Sequence, residues 1–331
     1  MRILVLGGTR FVGRAFIEAA VAAGAEVTAV NRGVTGAVPA GAREARADRT
    51  TPEGVARIAR LAEQADAVVD TWSGAPRVMS AVTSAIGGQV PRYVYVSTRS
   101  VYDAPLQRGA NETAPVVDAD PDSDVTGYAA DKRGAELAVL RDIGPERSVL
   151  LRAGLILGPY EDIGRLPWWL TRIARGGDVL SPGPADLPLQ YLDARDLADF
   201  MLRCIDAELS GAYNVVSPRG HATMQDVLET CVAVTGSDAR LVWAQPDVVR
   251  AANIAPWTEL PIWLPPDDED AALHDGDVSK AVGAGLHCRP LEETVRDTWE
   301  WVRSGGWSGP RPDRFLGLDP AKELVALANL R

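Results

Sequence analysis

An apolar run that breaks into glycines and then into an amphipathic stretch opens the chain, and no other segment limits the fold as sharply. Met1-Arg-Ile-Leu-Val-Leu6 leads into Gly7-Gly-Thr-Arg-Phe-Val-Gly13, then Arg14 to Gly24, then Glu26-Val-Thr-Ala-Val-Asn-Arg32. A buried parallel strand reads as continuous apolar residues, whereas a helix on a sheet shows apolar side chains at helical spacing. Phe11, Ala15, Ile17 and Val21 make the second pattern, and Gly24 is suited to the left-handed backbone that ends a helix. The order is strand, glycine turn, helix, strand.

Glycines at such a turn let backbone N–H groups approach a pyrophosphate, and the helix N-terminus adds partial positive charge there. A dinucleotide is the expected ligand, held by Gly7, Thr9, Arg10, Phe11, Val12 and Gly13. Neither GxGxxG nor GxxGxxG is complete, because Arg10 stands where the second pattern wants its middle glycine. On the glycines alone, an ordinary tight turn into a helix is the alternative.

The alternation continues. Ala42 to Asp48 reads as a third strand, Pro52 to Gln64 as a helix and Asp66-Ala-Val-Val-Asp70 as a fourth strand. Pro76 to Ile86 follows as a helix with proline in its first turn, and Arg92-Tyr-Val-Tyr-Val-Ser97 as strand five. Strands and helices alternating at this length imply an α/β fold of Rossmann type, a doubly wound parallel sheet with its ligand at the C-terminal strand ends.

Composition excludes more than it selects. The net charge of −11, with no basic run, argues against a nucleic-acid footprint. Cys204, Cys231 and Cys288 lack CxxC spacing, so neither a disulfide framework nor a zinc site is indicated; reduced thiols and a cytoplasmic location fit best. The apolar N-terminus is too short for a signal peptide and no stretch reaches transmembrane length, so no membrane partner is expected. His221, His274 and His287 share no ligand spacing, and no metal is expected.

Strand five ends in Ser97-Thr-Arg-Ser-Val-Tyr102, and Gly127-Tyr-Ala-Ala-Asp-Lys132 opens a helix running to about Arg141. Tyr128 and Lys132, four apart, share a helical face. With the glycine turn, Leu151-Arg-Ala-Gly-Leu-Ile-Leu-Gly-Pro159, Gln190-Tyr-Leu-Asp-Ala-Arg-Asp-Leu-Ala198 and Gly211-Ala-Tyr-Asn-Val215, these pieces resemble the extended short-chain dehydrogenase/reductases, the NAD(P)-dependent epimerase/dehydratase family. The resemblance covers residues 1 to about 217, with departures at Arg10 and at Ala153, where the family has proline. The Gly-Gly-Thr-Arg-Phe variant is also similar to the atypical branch that includes chloroplast stem-loop RNA-binding proteins, some of which lack the tyrosine present here as Tyr128.

The resemblance implies two interleaved lobes. A dinucleotide-binding domain would take residues 1–157 and about 191–217, and a smaller mixed α/β substrate lobe about 158–190 and 218–331. Strand six, about Ser148 to Leu151, closes the first sheet; a helix from Arg165 to about Ala174 and another from Thr223 to Thr235 belong to the second lobe. The strand Leu241 to Trp243 and a helix Pro290 to Arg303 complete it. Trp72, Trp168, Trp169, Trp257 and Trp263 lie in segments suited to a cleft, but tryptophan usually packs in cores. Trp72 and Trp168 are the better substrate candidates, with Arg99 and Gln190. The acidic run Asp267 to Asp270 reads as a solvated loop.

The same resemblance makes Tyr128 the acid/base at a substrate hydroxyl or carbonyl, with Lys132 favouring its phenolate and holding the nicotinamide ribose, and Thr98 bonded to the same substrate oxygen. Ser97 joins the cofactor site. At the end of strand two, Asn31 and Arg32 replace the carboxylate that NAD sites place there, so the expected cofactor is NADP, with NAD as the alternative; Asp48 is expected at the adenine. Three readings follow: an NAD(P)(H)-dependent oxidoreductase on a secondary alcohol or ketone of a sugar-like or secondary-metabolite small molecule, an epimerase or dehydratase that recycles its cofactor, and a non-catalytic dinucleotide-binding or RNA-associated protein. A homodimer is compatible with all three.

Overall fold

The computed structural model describes residues 1–310 and 315–330. In chain order its first elements are β1 (Arg2–Leu6), α1 (Phe11–Ala22), β2 (Glu26–Asn31), β3 (Arg43–Arg46), α2 (Pro52–Ala62), β4 (Ala67–Asp70), α3 (Pro76–Ile86), β5 (Tyr93–Thr98), α4 (Tyr128–Asp142) and β6 (Ser148–Ala153). There follow β7 (Leu155–Leu157), α5 (Arg165–Ala174), β8 (Asp178–Pro182), β9 (Pro188–Leu189), β10 (Tyr191–Asp193), α6 (Ala194–Asp206) and β11 (Gly211–Val215). The last are β12 (Ala222–Thr223), α7 (Met224–Thr235), β13 (Arg240–Ala244), α8 (Pro246–Ala251), α9 (Ser279–Gly283), α10 (Leu291–Trp301) and α11 (Pro320–Ala328).

Two compact units share these elements. The first comprises Met1–Gly154, Ala194–Val216 and Asp277–His287; the second comprises Leu155–Asp193, Ser217–Gly276 and Cys288–Arg331. The sequence reading gave all of 218–331 to the second. Residues 277–287 go to the first because Asn214 Nδ2 donates to the carbonyl of Asp277 at 2.9 Å and Lys280 Nζ to that of Ala212 at 2.6 Å.

The first unit is built on a seven-stranded sheet of order β11-β6-β5-β4-β1-β2-β3. All its pairings are parallel. Strand six does not close the sheet, because β11 hydrogen-bonds along its outer side. Alternate side chains of β1 serve opposite faces, as strand geometry requires. Leu4 and Leu6 join Ile58, Met79, Val82, Ala135 and Val139 in one core, while Ile3 and Val5 are buried outside that cluster. The helical stripe of α1 also differs from the expected one. Its buried positions are Phe11, Gly13, Phe16, Ile17 and Ala20, and Ala15 and Val21 are only half-buried. The i, i+3, i+4, i+7 set starts from Gly13, whose lack of a side chain lets the helix settle on the glycine turn. Gly24, at φ 79°, donates to Val21 O just beyond the helix end.

The second unit has three two-stranded pairings, β7 with β10, β9 with β12 and β8 with β13, and packs α5, α7 and α10 into one core. Trp169 and Trp263 are both buried there, and their indole N–H groups donate to Pro261 O and Gly183 O. Asp267, Glu269 and Asp270 are exposed. Among the described residues the three cysteines are free and no helix is long and apolar enough to cross a membrane. Among them, too, no three His, Cys, Asp or Glu side chains are placed to hold a metal ion.

Candidate active site

Strand order reverses at β1, which has β2 on one side and β4 on the other, and a ligand-binding crevice forms beyond the strand ends at such a point. Gly7 ends β1 there with φ 91°, and a side-chain carbon on it would lie 2.6 Å from Thr71 Oγ1. One on Gly13 would lie 2.5 Å from the carbonyl of Gly7, so the helix start can sit against the turn only as glycine. Phe11 opens α1 with φ 30°, a left-handed backbone unusual for so bulky a residue. Arg10, in the middle-glycine position, is extended and exposed as the N-cap of α1. Val12 is half-buried in the first turn of α1, and Thr9 is hydrogen-bonded through its hydroxyl to Thr35 at 2.6 Å.

At the end of β2, Asn31 accepts the backbone N–H of Gly33 at 2.6 Å, while its buried Nδ2 has no partner among the described residues. Arg32 next to it is exposed. Asp48 is held within its own loop by the N–H and hydroxyl of Thr50, which, with Arg32 as a smaller cause, keep its carboxyl below the usual range. A turn that a Cβ would fill, a helix N-terminus and an orphaned amide donor are features that suit a dinucleotide.

The other half of the site lies at the ends of β4 and β5 and the start of α4. Tyr128, at the first position of α4, is 54% exposed, and among the described residues its hydroxyl has no hydrogen-bond partner. Lys132 is one turn along and buried. Its ammonium donates to the carbonyls of Trp72 and Val96, both at 2.7 Å, and lies 4.9 Å from the Tyr95 ring centre. Burial pulls its pKa down to about 8, against the attraction of Asp70 and Glu136. The residue type matters, since the chain has only three lysines, Lys132, Lys280 and Lys322, and uses arginine for its other cationic side chains. Unlike arginine, a buried lysine can lose its proton near neutral pH.

Thr98 ends β5, accepts the N–H of Ser100 at 3.2 Å and donates to the Ser100 hydroxyl at 3.3 Å. Ser97 points the other way and gives its hydroxyl hydrogen to Glu136 at 2.7 Å, so it braces the strand end. Arg99 is fully buried.

Sequence reasoning missed the charges beneath the site. Asp70 is buried at the end of β4, with both oxygens bonded to the Arg49 guanidinium at 2.8 and 2.6 Å and Oδ2 also accepting the Tyr93 hydroxyl. Burial, then Asp70, pushes the hydroxyls of Tyr93 and Tyr95 well up, which keeps them as donors. Glu136 is bonded to Arg152, Arg133 and Ser97. The one available signal was Asp70 itself, a carboxylate closing an otherwise apolar strand; Arg49 gave none.

Trp72 is half-buried, with its indole N–H on Ala75 O at 3.1 Å and its ring 4.7 Å from the Arg49 guanidinium. In the second unit Trp168 is half-buried and meets Trp169 edge-on. Gln190 is buried, its amide donating to Ser217 O and Gly276 O and accepting the N–H of Gly276, so the fold takes up its polar atoms.

The chain is similar to known proteins in sequence and in fold. A 2′-dehydrokanamycin reductase from Streptomyces kanamyceticus is 31% identical over 187 residues, 54% of this chain and 51% of that protein; the chain thus spans about half the length of this curated relative. The fold matches a solved structure of an epimerase assignment from Burkholderia cenocepacia, with TM-score 0.68, 21% identity and coverage of 92% of this chain and 98% of the other. It also matches the Thermus thermophilus UDP-glucose 4-epimerase complexed with NAD, with TM-score 0.65, 23% identity and coverage of 92% and 99%. The sequence pattern of one family runs through residues 3–216, from β1 to β11 and across every element that shapes the crevice: the chain belongs to the NAD dependent epimerase/dehydratase family.

Proposed function

We propose that the protein is an NAD(P)(H)-dependent oxidoreductase that reduces the ketone, or oxidises the secondary alcohol, of a sugar-like or secondary-metabolite substrate. The observation that carries this reading is the pair Tyr128 and Lys132, an exposed phenol one helical turn from a buried ammonium of lowered proton affinity. The name of the curated relative, a reductase of a dehydro compound, favours net reduction over internal recycling. Retention of both Tyr128 and Lys132 speaks against a non-catalytic role.

Gly7, Thr9, Arg10, Phe11, Val12 and Gly13 would hold the pyrophosphate, and Asn31 and Arg32 the adenosine ribose. A guanidinium and an unpartnered amide donor suit a 2′-phosphate, which supports NADP over NAD. When bound, the nicotinamide supplies the hydride. Tyr128 donates its phenolic proton to the developing alkoxide, and Thr98 hydrogen-bonds the same oxygen. The Lys132 ammonium stabilises the phenolate left behind, and the phenolate of the exposed Tyr128 regains its one proton from water. Trp72, beside the end of β4, is the substrate contact favoured within the first unit.

The test is cofactor accounting on a panel of keto sugars and their alcohols. Consumption of NADPH in proportion to product is expected. Product formed with no net change in cofactor absorbance, with solvent hydrogen entering the substrate carbon, would assign the chain to epimerisation instead.

A further inference from the structure

The buried charges beneath the site meet at a single carbonyl. Trp72 O accepts both the Lys132 ammonium at 2.7 Å and the Tyr95 hydroxyl at 3.1 Å. Trp72 itself is fixed from the other side. Its backbone N–H donates to Asp70 Oδ1 at 2.8 Å, and its ring stacks under the guanidinium of Arg49, which forks onto both oxygens of Asp70. Asp70 is fully buried, so its charge acts through a poorly screening medium.

We propose that Arg49 and Asp70 are a positioning pair for Lys132, the carboxylate fixing Trp72 by its backbone, the guanidinium fixing it by its ring, and the two opposite charges setting how firmly Lys132 holds its proton. The pair's bearing on catalysis rests on the function proposed above. The groups facing Lys132 are Asp70 from the end of β4, Glu136 from its own helix, Arg49 from the loop before α2 and the Tyr95 ring from β5. Glu136 is already matched by Arg152 and Arg133, which leaves Asp70 and Arg49 as the adjustable terms. Asp70 favours the ammonium and Arg49 opposes it.

The consequence is a pair of opposite signs. Asp70→Asn keeps an acceptor for the Trp72 N–H but removes the negative charge, so Lys132 loses its proton at lower pH. Arg49→Met leaves Asp70 uncompensated, so Lys132 holds its proton to higher pH. Each shift is expected to be about one unit or more, a tenfold change in proton affinity. Loosening alone would admit water and move both variants upward, toward an ordinary lysine.

The experiment is a pH titration of the full chain labelled at lysine Cε, read by NMR. Three lysines give three signals, and Lys280→Arg and Lys322→Arg identify the other two. A downward shift in Asp70→Asn and an upward shift in Arg49→Met support the proposal; should Arg49→Met fail to fold, the sign in Asp70→Asn decides, and should Asp70→Asn fail to fold, Asp70→Ser, which also removes the charge, takes its place. An unmoved Lys132, or an upward shift in Asp70→Asn, overturns it. The titration needs neither cofactor nor turnover. Opposite NMR shifts in a protein that reduces no carbonyl would keep the pair and discard the functional reading; in an active protein the pH limb of kcat/KM is expected to follow the NMR midpoint.

Discussion

Tyr128 and Lys132 lie on one face of α4 with opposite exposures, 54% for the phenol and 4% for the ammonium-bearing side chain. The proposed acid/base group is thus presented outward while the charge proposed to support it stays shielded, where a nearby charge acts most strongly.

Tyr128→Phe removes the proton donor and leaves the glycine turn intact. Turnover is expected to fall at least ~10²-fold, the usual scale of a general acid/base, with cofactor affinity nearly unchanged. Lys132→Ala should weaken both. Normal turnover in Tyr128→Phe, measured at saturating cofactor, would remove the tyrosine from the mechanism.

The proposed preference for NADP rests on the end of β2. Arg32→Ala is expected to weaken NADPH binding about tenfold, the scale of one charge-assisted contact, while NADH binding stays the same. Calorimetric titration with each dinucleotide measures both constants, and equal affinities in the unmodified protein would contradict the assignment.

Gly13→Ala places a methyl group 2.5 Å from the carbonyl of Gly7. The helix start must then move off the turn, and dinucleotide affinity is expected to drop by more than about tenfold, roughly the loss of one or two backbone contacts. Retained affinity by fluorescence titration would show that the turn has slack.

Glu136→Gln deletes the charge shared by Arg152 and Arg133 in a fully buried position. Breaking a buried ion pair from one side typically costs about 3–5 kcal/mol, because the remaining cation is left uncompensated. Urea denaturation of the variant should show a loss of that order; a change within about 0.5 kcal/mol would mean that water replaces the pair.

Burial pushes the Glu161 carboxyl up to about 7, against Arg165 and the N–H groups of Arg165 and Leu166. The folded value therefore exceeds the unfolded one, near 4.3. Ionisation costs the folded state more than the unfolded one, so this contribution is fully favourable below about 4.3 and is lost as pH rises to about 7. Glu161→Gln cannot ionise and should flatten that part of the curve. Thermal midpoints of parent and variant that run parallel from pH 4.5 to 7.5 would exclude it.

Residues 1 to about 157 were legible because their signals are local. Continuous apolar strands, a glycine turn and a tyrosine four residues before a lysine each declare themselves within a short window, and the structure puts β1, α3 and β5 within a residue of the ranges read from them, while α1 starts three residues earlier, inside the glycine turn. The stripe of α1 was misread because Gly13 contributes to packing by having no side chain, which hydrophobic periodicity does not register.

What the sequence determined by itself is the class of the fold, a parallel sheet with a dinucleotide turn at its point of reversal, since periodicity and short connections leave few other ways to bury these strands. Tertiary structure alone decided which polar residues are partners. Arg49 and Asp70, Glu136 and Arg152, and Gln190 and Gly276 are far apart in the chain, and nothing local to either member announces the other. Charged and amide side chains are usually solvated, so only burial, which forces each to find a partner, shows which ones hold the site in place.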